Sequence, residues 1–178
     1  MAPDMFVDFD VDPRTDPPGQ AGERETLLGF LRWQRETLEL KCSGLMPEQL
    51  ARRAVKPSTM SLLGLVRHLS DVERGWIGGR IAGEVNEPWF WRPEAEDAAF
   101  DEAEGTSECV DEAWQALREA AAFTDRVAAK ASLDRTCEDR WRGPLSLRWV
   151  LTHLVEEYAR HNGHADLLRE RIDGKVGQ

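Results

Sequence analysis

Apolar residues recur every three or four positions in four separate stretches of the chain, and each stretch is bounded by residues that start or stop helices. The first runs from about Glu23 to Cys42, with Leu27, Phe30, Leu31, Gln34 and Leu38 on one face and Gly44 placed to end it. The second follows Ser61, a good N-cap, and carries Leu62, Leu65, Val66, Leu69, Val72 and Trp76 before Gly78, Gly79 and Gly83 weaken it. The third spans about Ser107 to Lys130, apolar at Val110, Trp114, Leu117, Ala121 and Val127. The fourth starts at Ser146 and continues to about Ile172, with Leu147, Val150, Leu151, Leu154, Tyr158, Ala165 and Leu168 as its stripe and Gly174 as its stop. No alternation of strand length competes in strength. Four long helices with one apolar stripe each predict an all-α fold, a four-helix bundle.

The connector from about Glu84 to Thr106 holds Pro88, Pro93 and a run of acidic residues. It is long enough to travel the ~30 Å of a 20-residue helix, so the third helix can run parallel to the second. The expected topology is up-down-down-up, with a short capping helix at Pro47–Arg52. Residues 1–20, rich in Asp and Pro, form an expected extended N-terminal arm, and residues 21–178 the bundle domain. Asp8, Asp10 and Asp12 have the spacing that opens a calcium loop, but Pro13 stands where that loop turns on Gly and Gly19 where it needs Glu, so calcium is not expected.

Composition narrows the partners. The 178-residue chain has a formal net charge of -10, which disfavours nucleic acid and anionic membrane surfaces, because both are bound largely through Lys and Arg. No apolar run approaches the ~20 residues that span a bilayer, and the N-terminus has neither the basic start nor the apolar run of a secretory signal. A cytoplasmic protein is expected. Cys42, Cys109 and Cys137 are widely spaced with no C-x-x-C pair, which predicts free thiols.

The chemical signal is the placement of four histidines. Three of them, His153, His161 and His164, lie on the fourth helix with Glu156 and Glu157 between them. Residues four apart share a helix face, so Glu157 with His161, or His153 with Glu157, can converge on one ion. Glu157 lies about 65° from the centre of the apolar stripe, and His153 and His164 about 85–105° from it, so Glu157 and His161 lean inward most. A carboxylate near a core requires a cation, which a metal or a neighbouring Arg can supply. His68 sits at the edge of the second helix's stripe, where a histidine can simply be solvated. It reaches the level of His161 only if the second and fourth helices run antiparallel. Two imidazoles and a carboxylate are a ligand set of catalytic zinc, and the same donors suit iron, nickel or manganese.

Three segments carry a family likeness. They are Leu27-Leu-Gly-Phe-Leu-Arg-Trp-Gln-Arg-Glu36, Ser61-Leu-Leu-Gly-Leu-Val-Arg-His68 with Asp71-Val-Glu-Arg74, and Ser146-Leu-Arg-Trp-Val-Leu-Thr-His-Leu-Val-Glu-Glu-Tyr-Ala-Arg-His-Asn-Gly-His-Ala-Asp166. With Leu168-Arg-Glu170 and Asp173-Gly174, the chain resembles the DinB-like superfamily of four-helix-bundle metalloproteins and, within it, the actinobacterial mini-circle branch. The resemblance implies a divalent metal ion, zinc first among the candidates, held by His68, Glu157 and His161. Glu followed by His on the fourth helix is similar to the mycothiol-dependent maleylpyruvate isomerase, whereas many superfamily members have His at both positions. That isomerase has a further C-terminal domain contributing to its active site, and this chain ends soon after the fourth helix, so isomerisation itself is not expected. His153 and His164 match the branch pattern but not the ligand positions. Several relatives are thiol S-transferases using mycothiol, bacillithiol or glutathione, which implies a small-molecule thiol and an electrophile as partners. Two other readings stand beside that one. The chain could be a non-catalytic, metal-binding dimer of a stress response, or a metal-assisted hydrolase with Glu156 or Asp71 as general base.

Two further features complete the expectations. Trp89-Phe90-Trp91, bounded by Pro88 and Pro93, reads as a lid over the site, a homodimer contact or an aromatic plug on the bundle end. Arg67, Arg74, Arg148 and Arg160 read as orienters of an anionic substrate or as ordinary surface pairs.

Overall fold

A computed structural model of the chain describes residues 7, 11–84 and 87–177. Asp8 and Asp10 of the acidic triplet lie outside the described residues. The elements in order are α1 (Glu23–Cys42), α2 (Pro47–Leu50), α3 (Leu62–Glu73), α4 (Ala98–Asp101), α5 (Ser107–Lys130), strands β1 (Thr136–Asp139) and β2 (Gly143–Ser146), and α6 (Leu147–Asp173). The fold is mostly helical, as the apolar periodicity predicts. Hydroxyl side chains start three of the helices. Ser61 accepts a hydrogen bond from the Gly64 N–H, Thr106 from Cys109 and Ser146 from Trp149, each satisfying one otherwise orphan donor.

Helix α1 packs along α6, and α3 packs against both α5 and α6. Leu31 and Leu38 of α1, Leu65 and Leu69 of α3, and Leu151, Leu154 and Tyr158 of α6 meet in one core, each fully buried. Burial of each such Leu is worth about 1.5–3 kcal/mol, so the shared core sets the relation of α3 to α6. The described part of residues 1–20 lies on α1. Arg14 donates to Thr37 Oγ1 at 3.1 Å and stacks over Trp33 at 4.1 Å.

The structure departs from the sequence reading in two places. The second predicted helix does not fade at Gly78. It continues from α3 as a π-helical segment, Arg74–Ile81, whose wider turn buries Ile77 and Ile81. Residues 136–146, where no strand is predicted, form an antiparallel hairpin pairing Thr136 with Ser146 and Cys137 with Leu145. Its alternation is hidden because one inward slot is polar: Cys137 and Asp139 are buried while Thr136 and Glu138 are exposed. Asp139 Oδ1 accepts from the N–H groups of Trp141 and Arg142, and Gly143 closes the turn at φ 73°. Among the described residues no helix is long and apolar enough to cross a membrane.

The long connector is not structureless. It contains α4, whose Phe100 presses on Gly64 so closely that a Cβ there would lie 2.5 Å from the ring. Glycine therefore permits the connector to lie on α3, and it leaves Phe100 5.7 Å from the His68 ring.

Candidate metal centre

The core residues of α6 turn one side of that helix inward and leave Glu157 and His161 at its margin, facing α3. His161 is buried, at 8% exposure, because it follows Tyr158 and Leu154 into the core side. His68 approaches from α3, its ring 4.8 Å from that of His161 and inclined to it by 66°. Glu157 Oε2 lies 3.6 Å from His161 Nε2 and 3.9 Å from His68 Nε2. One donor atom from each of His68, Glu157 and His161 falls within 4.8 Å of the others. Donors bound tetrahedrally at ~2.1 Å sit about 3.4 Å apart, so small side-chain rotations bring these three into the coordination range of a divalent ion.

The electrostatics of Glu157 separate the alternatives left open by the sequence. Among the described residues its ion pairs are with His68, His153 and His161, and none is with Arg or Lys. The approach of His161 and then of His68 holds its carboxyl far below the usual carboxylate range, against the opposing effect of burial. A half-buried anion ringed by imidazoles is a group that could hold a cation, and the donor set fits a borderline-soft divalent metal.

Two more histidines flank the cluster. His153 Nε2 lies 3.5 Å from Glu157 Oε1, while its Nδ1 bonds Glu156 Oε2 at 3.1 Å. The His153 ring stacks on Trp149 and meets Trp76 edge-on, each at 5.0 Å. His164 Nδ1 lies 3.3 Å from His161 Nδ1. Burial lowers the His164 pKa, and nearby His161 and Arg160 lower it further, which favours its neutral form.

Beside His68 a cleft of about 670 Å³ opens, lined also by Val72, Arg80, Trp91, Phe100 and Trp141. Its wall is set by Asp71, whose carboxylate accepts three successive backbone N–H groups, from Trp89 at 2.7 Å, Phe90 at 3.0 Å and Trp91 at 2.8 Å. Phe90 is thereby buried and Trp91 faces the cleft. With both oxygens engaged, Asp71 is not free to act as a general base. Glu156 is tied to His153 and Arg160.

The four arginines singled out in the sequence are engaged elsewhere. Arg67 is buried over Phe90, Arg74 stacks on Trp89, Arg148 pairs with Glu23 and Asp134, and Arg160 with Glu156. The cation at the cleft is Arg80, which the sequence reading missed. The π-helical segment carries it, and it stacks over Trp76 at 4.2 Å with Asp139 of the hairpin 3.8 Å away. Only the tertiary fold brings these together; no local pattern announced them.

The cysteines are free, and none lines the cleft or belongs to the donor cluster. Burial pushes the Cys42 thiol up to about 12 and raises that of Cys137 as well. We therefore expect native protein to show one fast-reacting thiol toward a disulfide reagent at pH 8, at Cys109, and three after denaturation. Rapid native labelling of Cys42, read by peptide mass, would contradict that burial.

Residues 26–174 match the family model described as mycothiol-S-transferase. Among solved structures, a conserved protein from Enterococcus faecalis aligns with a TM-score of 0.54 at 18% identity, covering 86% of this chain and 96% of its own. At that identity the likeness speaks for the fold. No curated protein matches the chain.

Proposed function

Because the chain belongs to the mycothiol S-transferase family, we propose that it joins a small thiol, mycothiol in the first instance, through its sulfur to an electrophile at the cluster of His68, Glu157 and His161. The observation that carries this reading is the convergence of three metal-type donors beside a cleft in which no protein thiol stands. His68, Glu157 and His161 would hold a divalent cation, with zinc first for a two-histidine, one-carboxylate set. When bound, such an ion supplies a Lewis acid that favours the thiolate form of a thiol at neutral pH.

The chain's own residues do the rest. Trp91, Phe100 and Val72 give the cleft an apolar wall against which an electrophile can pack. Arg80 supplies a positive charge at the cleft that can favour a leaving group as it gathers negative charge. The transfer forms one C–S bond; the leaving group departs with its bonding electron pair and the thiol proton passes to solvent. The reading also includes the up-down-down-up bundle over residues 21–178, with α3 and α6 antiparallel, and a location in the reducing cytoplasm.

The test is conjugation of mycothiol to monobromobimane by metal-loaded protein. We expect turnover that a chelator abolishes and added zinc restores. Full metal occupancy without conjugation above the uncatalysed rate would sink the transferase reading.

A further inference from the structure

Two histidines on α6, His153 and His164, remain without a role after the donor cluster is assigned. Each touches one donor of that cluster on the side away from the third. His164 Nδ1 sits 3.3 Å from His161 Nδ1, and His153 Nε2 sits 3.5 Å from Glu157 Oε1. The inner atoms, His161 Nε2 and Glu157 Oε2, are the ones that face His68 and each other. Every group on α6 that faces the ion position is thus backed by a histidine of the same helix, four residues before Glu157 and three after His161.

The chemistry of the donors explains why such backing matters. A histidine that gives its Nε2 lone pair to a metal must carry its proton on Nδ1, and that N–H requires an acceptor. His164 Nδ1 is in place to be the acceptor, which selects the tautomer of His161 and fixes its ring. A carboxylate can swing both oxygens onto an ion or offer one. An N–H on Glu157 Oε1 retains that oxygen and leaves Oε2 to point at the other donors. His153 is itself immobilised by the rings of Trp149 and Trp76, and the role requires the tautomer whose proton sits on Nε2, 3.5 Å from Glu157 Oε1.

Resting on the metal reading above, we infer that His153 and His164 are positioning residues, an outer histidine layer that orients Glu157 and His161 for a divalent ion without ligating it. They raise affinity by preorganising the donors and leave the stoichiometry at one ion per chain.

Zinc affinity, measured by competition with a chromophoric chelator on the full-length chain, tests this without recourse to turnover. Loss of an outer-layer partner commonly costs ~10–100-fold in affinity. His153→Ala and His164→Ala should each raise the Kd for zinc by about that factor, with stoichiometry and apo-protein Tm retained. His153→Phe separates orientation from packing, because it keeps the ring stack but has no N–H; it should lose as much affinity as His153→Ala. His153→Gln and His164→Gln, which restore a donor and an acceptor, should recover most of it. If wild-type protein binds zinc stoichiometrically and both Ala variants match its Kd, or His153→Phe does, the outer layer is disproved while the metal reading stands. If wild-type protein fails to bind any divalent ion stoichiometrically, the metal reading falls and this inference with it.

Discussion

His161→Ala is expected to abolish stoichiometric binding of a divalent ion, whereas His164→Ala is expected to keep the stoichiometry and only weaken it. This contrast is the largest effect expected at the site. Ion-binding energies of ~10–16 kcal/mol in closed zinc sites imply about 3 kcal/mol or more for each protein ligand, a hundredfold or greater change in Kd. His161 is the most buried of the three donors and makes the shorter approach to Glu157, 3.6 Å against 3.9 Å for His68. Its loss leaves Glu157 with a single imidazole across from it on α3. Metal analysis after gel filtration reads the outcome directly. Equal retention of metal by both variants would mean that another part of α6 holds the ion.

The largest effect on stability belongs to a residue outside the cluster. Glu73, fully buried at the end of α3, accepts hydrogen bonds from Arg35 Nε at 2.8 Å and Nη2 at 2.6 Å, and from the Tyr158 hydroxyl at 2.6 Å. These three side chains tie α1, α3 and α6 together at one point. Glu73→Ala leaves a largely buried guanidinium without its main counter-charge and a buried hydroxyl without its acceptor. Removal of one member of such a group typically costs ~3–5 kcal/mol, a large share of the ~5–15 kcal/mol that holds a domain folded. Arg53→Ala, which removes the exposed pair with Asp101, should change stability by at most about 1 kcal/mol. Urea unfolding of the two variants decides the matter. A loss below about 1 kcal/mol for Glu73→Ala would show that α1, α3 and α6 hold together without this contact.

What could be read from the sequence follows from how local each signal is. Helices α1 and α5 have the predicted ends because their stripes repeat over five or more turns, and Thr106 caps the start of α5. The hairpin was invisible because each strand has four residues and Asp139 fills an inward position where an apolar side chain was expected. Gly78 and Gly79 read as a helix end, yet the segment runs on with Ile77 and Ile81 buried beneath it. At the site, the four-residue spacing of Glu157 and His161 could be read from helix geometry. His68 stands at the edge of its stripe, and periodicity alone did not select it; the family likeness did. In the sequence Asp71 reads as a candidate base and not as a clamp, because a clamp on residues 18–20 positions further along depends on the fold.

That clamp has a consequence for how a ligand would be received. Asp71 is on α3, three residues from His68, so the aromatic wall and one donor are anchored to the same helix. A loop that must close over its guest loses conformational freedom at each encounter, a cost of about 1–2 kcal/mol for every residue ordered. Here three consecutive amides are already immobilised by one carboxylate, and that loss is incurred once, when the chain folds. The aromatic wall is thus set in place before a guest arrives, held by the helix that carries His68.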